Sequence, residues 1–472
     1  MKNIKIGLFG IGLDTYWNQF DGLLENLKNH QKQIKTQIEG FGVEVVDAGI
    51  IDNPESARKA AYLLKTNDVE VVFMNVSTYA LSSTVLPIAQ NVKVPIIVLN
   101  LQPVKQLNYE SFNQLNDRGK MTGIWLEHCQ AVSLPEIANV FNRSGIRYDF
   151  VIGYLQDKKI WTEIESWVAA ARVVSAMRKN RLGLLGHYYG GMLDVYSDLT
   201  KQSSTFGTHI EMLEMCELKR HRDDTSNAEI ENKIREFNTA FEVSPECEQS
   251  EIERAAKTSV ALDKLVENHQ LGSLAYYYEG QPGNEYENIV TSLIAGNTLL
   301  TGKNIPVAGE YEVNTAQAMK IMAEFGAGGS FAEFYLMDYE DDVVYLGHDG
   351  PAHFAISEEQ VKLVPLSVYH GKPGKGLSIQ MNVKHGPVTL LSVAERNEGI
   401  FLQVAEGESV SGPILETGNT NSRYRFSIGA KEFLKQWSKH GPTHHCAIGV
   451  GHINDKIEKL GFLLNIDVVR IC

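Results

Sequence analysis

The sequence predicts an α/β protein in which two doubly wound parallel-sheet domains precede a C-terminal antiparallel β-barrel. Three observations predict it. In the earlier part of the chain, short apolar runs ending in glycine or a polar residue alternate with helical periodicity, the signature of βαβ units. After residue 355 the texture changes to short strands about ten residues apart, each bounded by Gly, Pro or Asn, as in a barrel or sandwich. The 472 residues are also too many for one core. The boundaries are set at 1–175, 176–325 and 326–472.

The first domain opens with the apolar run 4–10, followed by a helical pattern through Phe20, Leu23, Leu24 and Leu27. A strand over 43–49, a helix around 56–65 and strands over 69–75 and 95–100 follow. Asp14, Tyr16, Trp17, Asn75, Tyr79 and Gln102 fall at strand ends, the carboxyl edge where such sheets bind ligands. Gly7, Gly10 and Gly12 are spaced GxxGxG, not GxGxxG, which argues against a dinucleotide site even though Asp47 ends the second strand.

A strand over 150–154 marks a change of unit, and an amphipathic helix over 161–177 carries Trp167, Ala170 and Val173 on one face. The run 181–186 starts a second alternating region. It leads into His187-Tyr188-Tyr189-Gly190-Gly191-Met192, a glycine-rich turn able to lay His187 and Met192 against a polyol. A polar helix over 245–270 and a strand over 273–278 complete this domain. Strands over 361–368, 377–383, 388–394, 400–405 and 466–471 build the barrel, with a glycine-rich turn at 371–376 and one helix at 430–439.

Composition narrows the function. With 43% hydrophobic and 22% charged residues the chain is an ordinary soluble globular protein. A net charge of −14, without a basic stripe, argues against nucleic acid as a partner. No apolar run approaches the ~18 residues of a membrane span. The chain starts directly in a strand with no signal-peptide pattern, and its five cysteines are scattered without a CxxC. Both features fit a cytoplasmic protein with reduced thiols. There is no HExxH and no GxSxG, which disfavours a zincin protease and an α/β-hydrolase.

Carboxylates and imidazoles gather among glycines over 309–353. Glu310 follows the apolar run 305–309 and is expected to begin a helix; Glu312, two residues on, is expected to point elsewhere. Glu333 sits among Phe331, Phe334 and Tyr335, where an acid is costly to bury without a cation. His348 and His353 flank an Asp349-Gly350-Pro351 turn, and His444-His445 follows the 430–439 helix. Oxygen ligands mixed with imidazole suit a divalent ion such as Mn²⁺, and two carboxylates on one metal suit proton exchange between adjacent sugar carbons.

Four motifs carry a resemblance: Gly309-Glu310 with Thr315-Ala316, Gly328-Gly329-Ser330-Phe331-Ala332-Glu333, Leu346-Gly347-His348, and Gly441-Pro442-Thr443-His444-His445. The chain resembles the L-arabinose isomerase family and, more distantly, L-fucose isomerase. The likeness covers essentially the whole length and is strongest over 305–353. It implies a cytoplasmic enzyme interconverting L-arabinose, or a related aldose, and its ketose L-ribulose through an enediol. It also implies Mn²⁺ (or Co²⁺ or Mg²⁺) on Glu310, Glu333, His348 and His445, with His353 and His444 as the alternative ligands. Glu310 and Glu333 would be the catalytic pair, and His128, His187, Met192 and Tyr16 would contact the sugar. A homohexamer, or a trimer, is the implied assembly. The sequence departs from the family where Tyr311-Glu312 replaces Gly-Asp and where residues 122–128 replace Gln-Thr-Ala-His-Gly-Gly. A different pentose or hexose is therefore an alternative substrate. A non-catalytic sugar-binding or sensory protein, which also has two α/β lobes, is the rival from another class.

Overall fold

A parallel sheet covered on both faces needs strands that are apolar throughout. The central strands β1 (Lys5–Ile11), β3 (Val71–Asn75) and β4 (Ile96–Gln102) have that character, while the edge strands β2 (Glu44–Ile51) and β5 (Tyr148–Tyr154) carry polar and partly exposed residues. The computed structural model describes residues 4–280, 283–367 and 374–472. It arranges these strands as β2-β1-β3-β4-β5, every pair parallel. All of β3 is buried. The strand expected to mark a change of unit, β5, instead completes this first sheet along β4, because its register with Ile96–Gln102 is continuous.

Helices Leu23–Gly40, Pro54–Thr66 and Ser82–Val92 connect the strands. The second of them begins where local chemistry dictates. The Asn53 side chain accepts from the amides of Glu55 and Ser56, both at 3.0 Å, and Pro54 takes the first helical position. Phe20 lies outside the Leu23–Gly40 helix and packs edge-on against Tyr16 at 6.0 Å.

The chain forms two compact units, one ending at Ser175 and the other running from Ala176 to Cys472. The second unit contains β6 (Arg181–Gly186), β7 (His209–Leu213), β8 (Glu242–Val243), β9 (Ser273–Tyr277) and β10 (Val307–Ala308). Four of these form a parallel sheet in the order β10-β9-β6-β7.

Nine further strands follow: β11 (Gly328–Asp338), β12 (Val343–His348), β13 (Lys362–Leu366), β14 (Gly376–Gln380), β15 (Gly386–Arg396), β16 (Gly399–Val410), β17 (Thr420–Phe426), β18 (His445–Val450) and β19 (Asp467–Arg470). Six of them close an antiparallel barrel in the order β15-β18-β11-β12-β17-β16, with β16 pairing back onto β15. Closure covers most strand edges, and the part of β16 that β17 does not reach is taken by β19. β19 adds to β16 in parallel, while β8, β13 and β14 make a separate small sheet. Helix Ala430–Lys439 seals one side: Phe433 stacks on Phe426 with ring centroids 3.5 Å apart, and Trp437 is buried beside it. Val368 and residues 371–373 of the expected strand and glycine-rich turn lie outside the described residues. All five cysteines are free thiols. Among the described residues no helix is long and apolar enough to cross a membrane.

Candidate active site

Barrel register brings three functional side chains together. On β11, Glu333 lies opposite His445 of β18 on one side and opposite Gly347 of β12 on the other, next to His348. Directly opposed residues on antiparallel strands are the closest side-chain neighbours a sheet offers. Gly347 is required for this packing, since a Cβ there would sit 2.1 Å from the Thr420 carbonyl oxygen.

The fourth side chain, a second carboxylate, arrives from the parallel sheet. Glu310 does not begin a helix as expected. The helix starts at Val313, and Glu310 and Tyr311 lie in the left-handed region, with φ of 55° and 62°. Such a conformation costs on the order of 1–2 kcal/mol for each non-glycine residue. It is held by the Glu312 amide on the Gly309 carbonyl (2.9 Å) and the Tyr311 amide on the Tyr276 carbonyl (3.1 Å). The result places Glu310 Oε2 3.7 Å from His445 Nε2 and 3.5 Å from His444 Nε2. Glu333 Oε2 lies 4.0 Å from His445 Nε2 on another side.

Two overlapping groups emerge, Glu310–His444–His445 and Glu333–His348–His445, each with its ligand atoms within 4.8 Å of one another. His445 is common to both and fully buried. The Phe331 ring backs His445 and His348, with centroids at 4.3 and 4.6 Å. Glu310 Oε2 and His445 Nε2 are buried without a hydrogen-bond partner. Buried polar atoms are normally paired, so two orphans aimed at one point fit a cation held between them. Carboxylate oxygen and imidazole nitrogen are donors that Mn²⁺ and Co²⁺ accept, with Mg²⁺ favouring the oxygens. His353 belongs to neither group. It is buried beside Phe354, and burial pushes its pKa down.

Electrostatics separate the members. Burial raises the pKa of Glu333; His445 and His444 oppose this, and the negative Glu310 and Asp349 add to it. Glu310 and Asp194 hold His444 at about 9 against its burial. Asp194 contacts His444 twice, accepting from its amide (3.0 Å) and pairing with Nδ1 (2.6 Å). A protonated His444 tied to Asp194 is a poorer metal ligand than His445. Glu312, expected to point elsewhere, reaches the opposite edge of His445: its Oε2 lies 2.5 Å from Nδ1.

The cluster opens into a cavity of about 700 Å³ whose walls include Tyr189, Met192, Tyr277, Tyr335, Asp349 and Asn419. Asn419 donates to Asp349 (2.6 Å) and to the Tyr335 hydroxyl (2.9 Å), fixing that wall. Met192 lines the cavity as expected of its turn. His187 packs behind it on Tyr277 and Tyr278, with its Nδ1 on the Tyr188 carbonyl. Tyr16 and His128 belong to the first unit. There Tyr16 joins the apolar cluster of Leu23, Leu27 and Leu126, and His128 Nδ1 contacts the Ile124 carbonyl at 2.8 Å. Asp194 closes the glycine-rich turn noted in the sequence, but its pairing with His444, 250 positions away, left no local signal, and Asn419 lies in no motif.

No protein-family model matches the chain. Among curated proteins it is similar to sulfoquinovose isomerase of Alkalicoccus urumqiensis, with 20% identity over 342 residues covering 71% of this chain and 74% of that protein. It is similar also to the sulfoquinovose isomerases of Priestia aryabhattai and Priestia megaterium, with 18% identity over 406 residues and 86% of each chain covered. Over most of its length, then, the chain is a distant relative of proteins named as isomerases of a sugar.

Proposed function

We propose that the protein is a metal-dependent aldose–ketose isomerase acting on L-arabinose or a related aldose. The observation that supports this best is the convergence of Glu310, Glu333 and His348, at the wall of one cavity, on the buried His445 behind them. The names of the distant relatives support the reaction class and add a second sugar to test.

A divalent ion on these ligands supplies Lewis-acid polarisation of two adjacent sugar oxygens. The chain's own groups handle the protons. Glu333, its affinity for a proton raised by burial, is suited to take the proton from C2 of the open-chain aldose and return it to C1. Positioned transfer of this kind contributes about 10²–10⁴-fold in rate. Glu310 faces the same point and exchanges hydroxyl protons of the enediol. His444, fixed by Asp194, presents its Nε2 toward Glu310 and the cavity.

The test is a panel of aldoses and ketoses, L-arabinose and sulfoquinovose among them, incubated with Mn²⁺ in D₂O and read by NMR. An interconverted pair with deuterium at C1 or C2 is expected. A ligand bound but returned unchanged would instead identify a sugar-binding protein. Dialysis against EDTA should abolish turnover, and Mn²⁺ or Co²⁺ should restore it; full activity in verified metal-free protein would refute the centre. We also propose a closed homo-oligomer, hexamer or trimer, by resemblance. A fully active monomer in light scattering at micromolar concentration would refute it.

A further inference from the structure

Glu312 is an acid with none of its surface exposed. A carboxylate in that position is costly to bury unless it is paired and hydrogen-bonded. Among the described residues its ion-pair partner is a histidine, not a lysine or arginine: Oε2 meets His445 Nδ1 at 2.5 Å, while Thr315 Oγ1 donates to Oε1 at 2.8 Å. The carboxylate also stands at the N-terminus of the 12-residue helix Val313–Glu324, whose dipole favours negative charge. The turn through Glu310 and Tyr311 sets the two acids on different edges of one ring. Glu310 approaches Nε2, and Glu312 holds Nδ1.

We propose that Glu312 is the positioning residue of the centre. It accepts the Nδ1–H of His445 and so locks the ring in the tautomer whose Nε2 lone pair faces Glu310 and Glu333. The inference rests on the metal reading above and extends it to a residue that touches neither metal nor sugar. A neutral imidazole has one proton, so fixing it on Nδ1 frees Nε2 as a ligand. That atom is also the one left buried without a partner. Histidine ligands characteristically donate their second nitrogen to a carboxylate in this way. At His348 the polarity runs the other way, since the Gly350 amide donates to Nδ1 at 2.9 Å. His445 is therefore the ligand set in advance, and Glu312 is what sets it.

The experiment reads tautomer and metal affinity, not turnover alone. In ¹⁵N-histidine-labelled, metal-free wild type, long-range ¹⁵N–¹H correlation should show His445 protonated at Nδ1. Glu312→Gln keeps the side-chain shape and one acceptor oxygen but loses the charge. Its Mn²⁺ dissociation constant, by titration calorimetry, should rise about 10- to 100-fold, with Glu312→Asp recovering part of the loss. An Nε2-protonated His445 in the wild type would overturn the assignment. So would a folded Glu312→Gln protein that binds Mn²⁺ as wild type does. If Glu312→Gln fails to fold, the wild-type tautomer decides. A wild type that takes up no Mn²⁺ would overturn the metal reading beneath it, a result distinguishable from either of the others.

Discussion

The two sheets β2-β1-β3-β4-β5 and β10-β9-β6-β7 are both wholly parallel but dispose of their polar groups differently. At the carboxyl edge of the first sheet, Asn75 donates to Gln31 (3.1 Å) and to Ser77 (3.2 Å), and Gln31 donates to Asp47 (3.0 Å). These buried donors satisfy one another, and the edge is closed by its own side chains. At the corresponding edge of the second sheet, Glu310 projects from a left-handed turn toward the cavity, its buried Oε2 approached only at long range by the imidazoles of His444 (3.5 Å) and His445 (3.7 Å). A sheet edge is therefore only a place where a site can be built. What distinguishes a site is polar capacity held back from the protein itself, at a cost in folding that a ligand offsets.

This contrast can be broken by experiment, starting with the largest effect. Glu333→Gln retains shape and one oxygen but removes charge, so turnover should fall at least ~10²–10⁴-fold; saturating Mn²⁺ should not rescue it. A loss of only a few-fold would remove Glu333 from the chemistry. Next, Phe331→Ala should cost about 3–5 kcal/mol of stability in urea titration, because this buried ring backs both His348 and His445. It should weaken Mn²⁺ binding too, whereas a stability loss with unchanged affinity would show the ring to be core packing alone.

Smaller effects test positions away from the cavity, one in each unit. Asn53→Ala removes the cap of the Pro54–Thr66 helix and should cost about 0.5–2 kcal/mol, with kcat/KM of the folded protein within a few-fold of wild type. A large catalytic defect would contradict the division drawn between the two sheets. Smallest of all is Glu229, whose carboxyl is held at about 2, first by Lys264 and then by the Ser226 cap. A depressed folded-state value means stabilisation that is complete above the ordinary carboxylate range and lost as pH falls toward about 2. The gap in urea midpoint between wild type and Glu229→Gln should therefore be present at pH 6 and close by pH 2. Surface screening keeps it small.

The fold was legible because apolar runs and turn residues report layers directly. β3 is buried along its whole length, and a barrel does close, but with other strands than expected: β11 and β12 precede residue 355, while β13 and β14, expected in the barrel, pair with β8 in a separate sheet. Local motifs also picked out the side chains that gather at the cavity. What they did not carry was direction. The reach of Glu312 onto His445 depends on two consecutive non-glycine residues at positive φ, which propensity disfavours at each position. The distinction between His348 and His353 comes from β11–β12 register, where Gly347 faces Glu333. Asp194 meets His444 only through tertiary packing. Each is a long-range or strained feature, invisible to a reading that moves along the chain.

The barrel register has a consequence for how such a protein can change over generations. Glu333, His348 and His445 ride on three adjacent strands whose spacing is set by backbone ladders in a closed ring. Much of the cavity wall instead comes from connecting segments, among them Tyr189 and Met192 on one and Leu415 and Thr417 on another. Loops accept substitution and altered length far more readily than ladders do. Mutational drift can therefore reshape the wall around a sugar while the reactive constellation stays rigid. On the proposed function, substrate preference and reaction type therefore lie on separate parts of the chain, and the sugar taken can change without reinventing the chemistry.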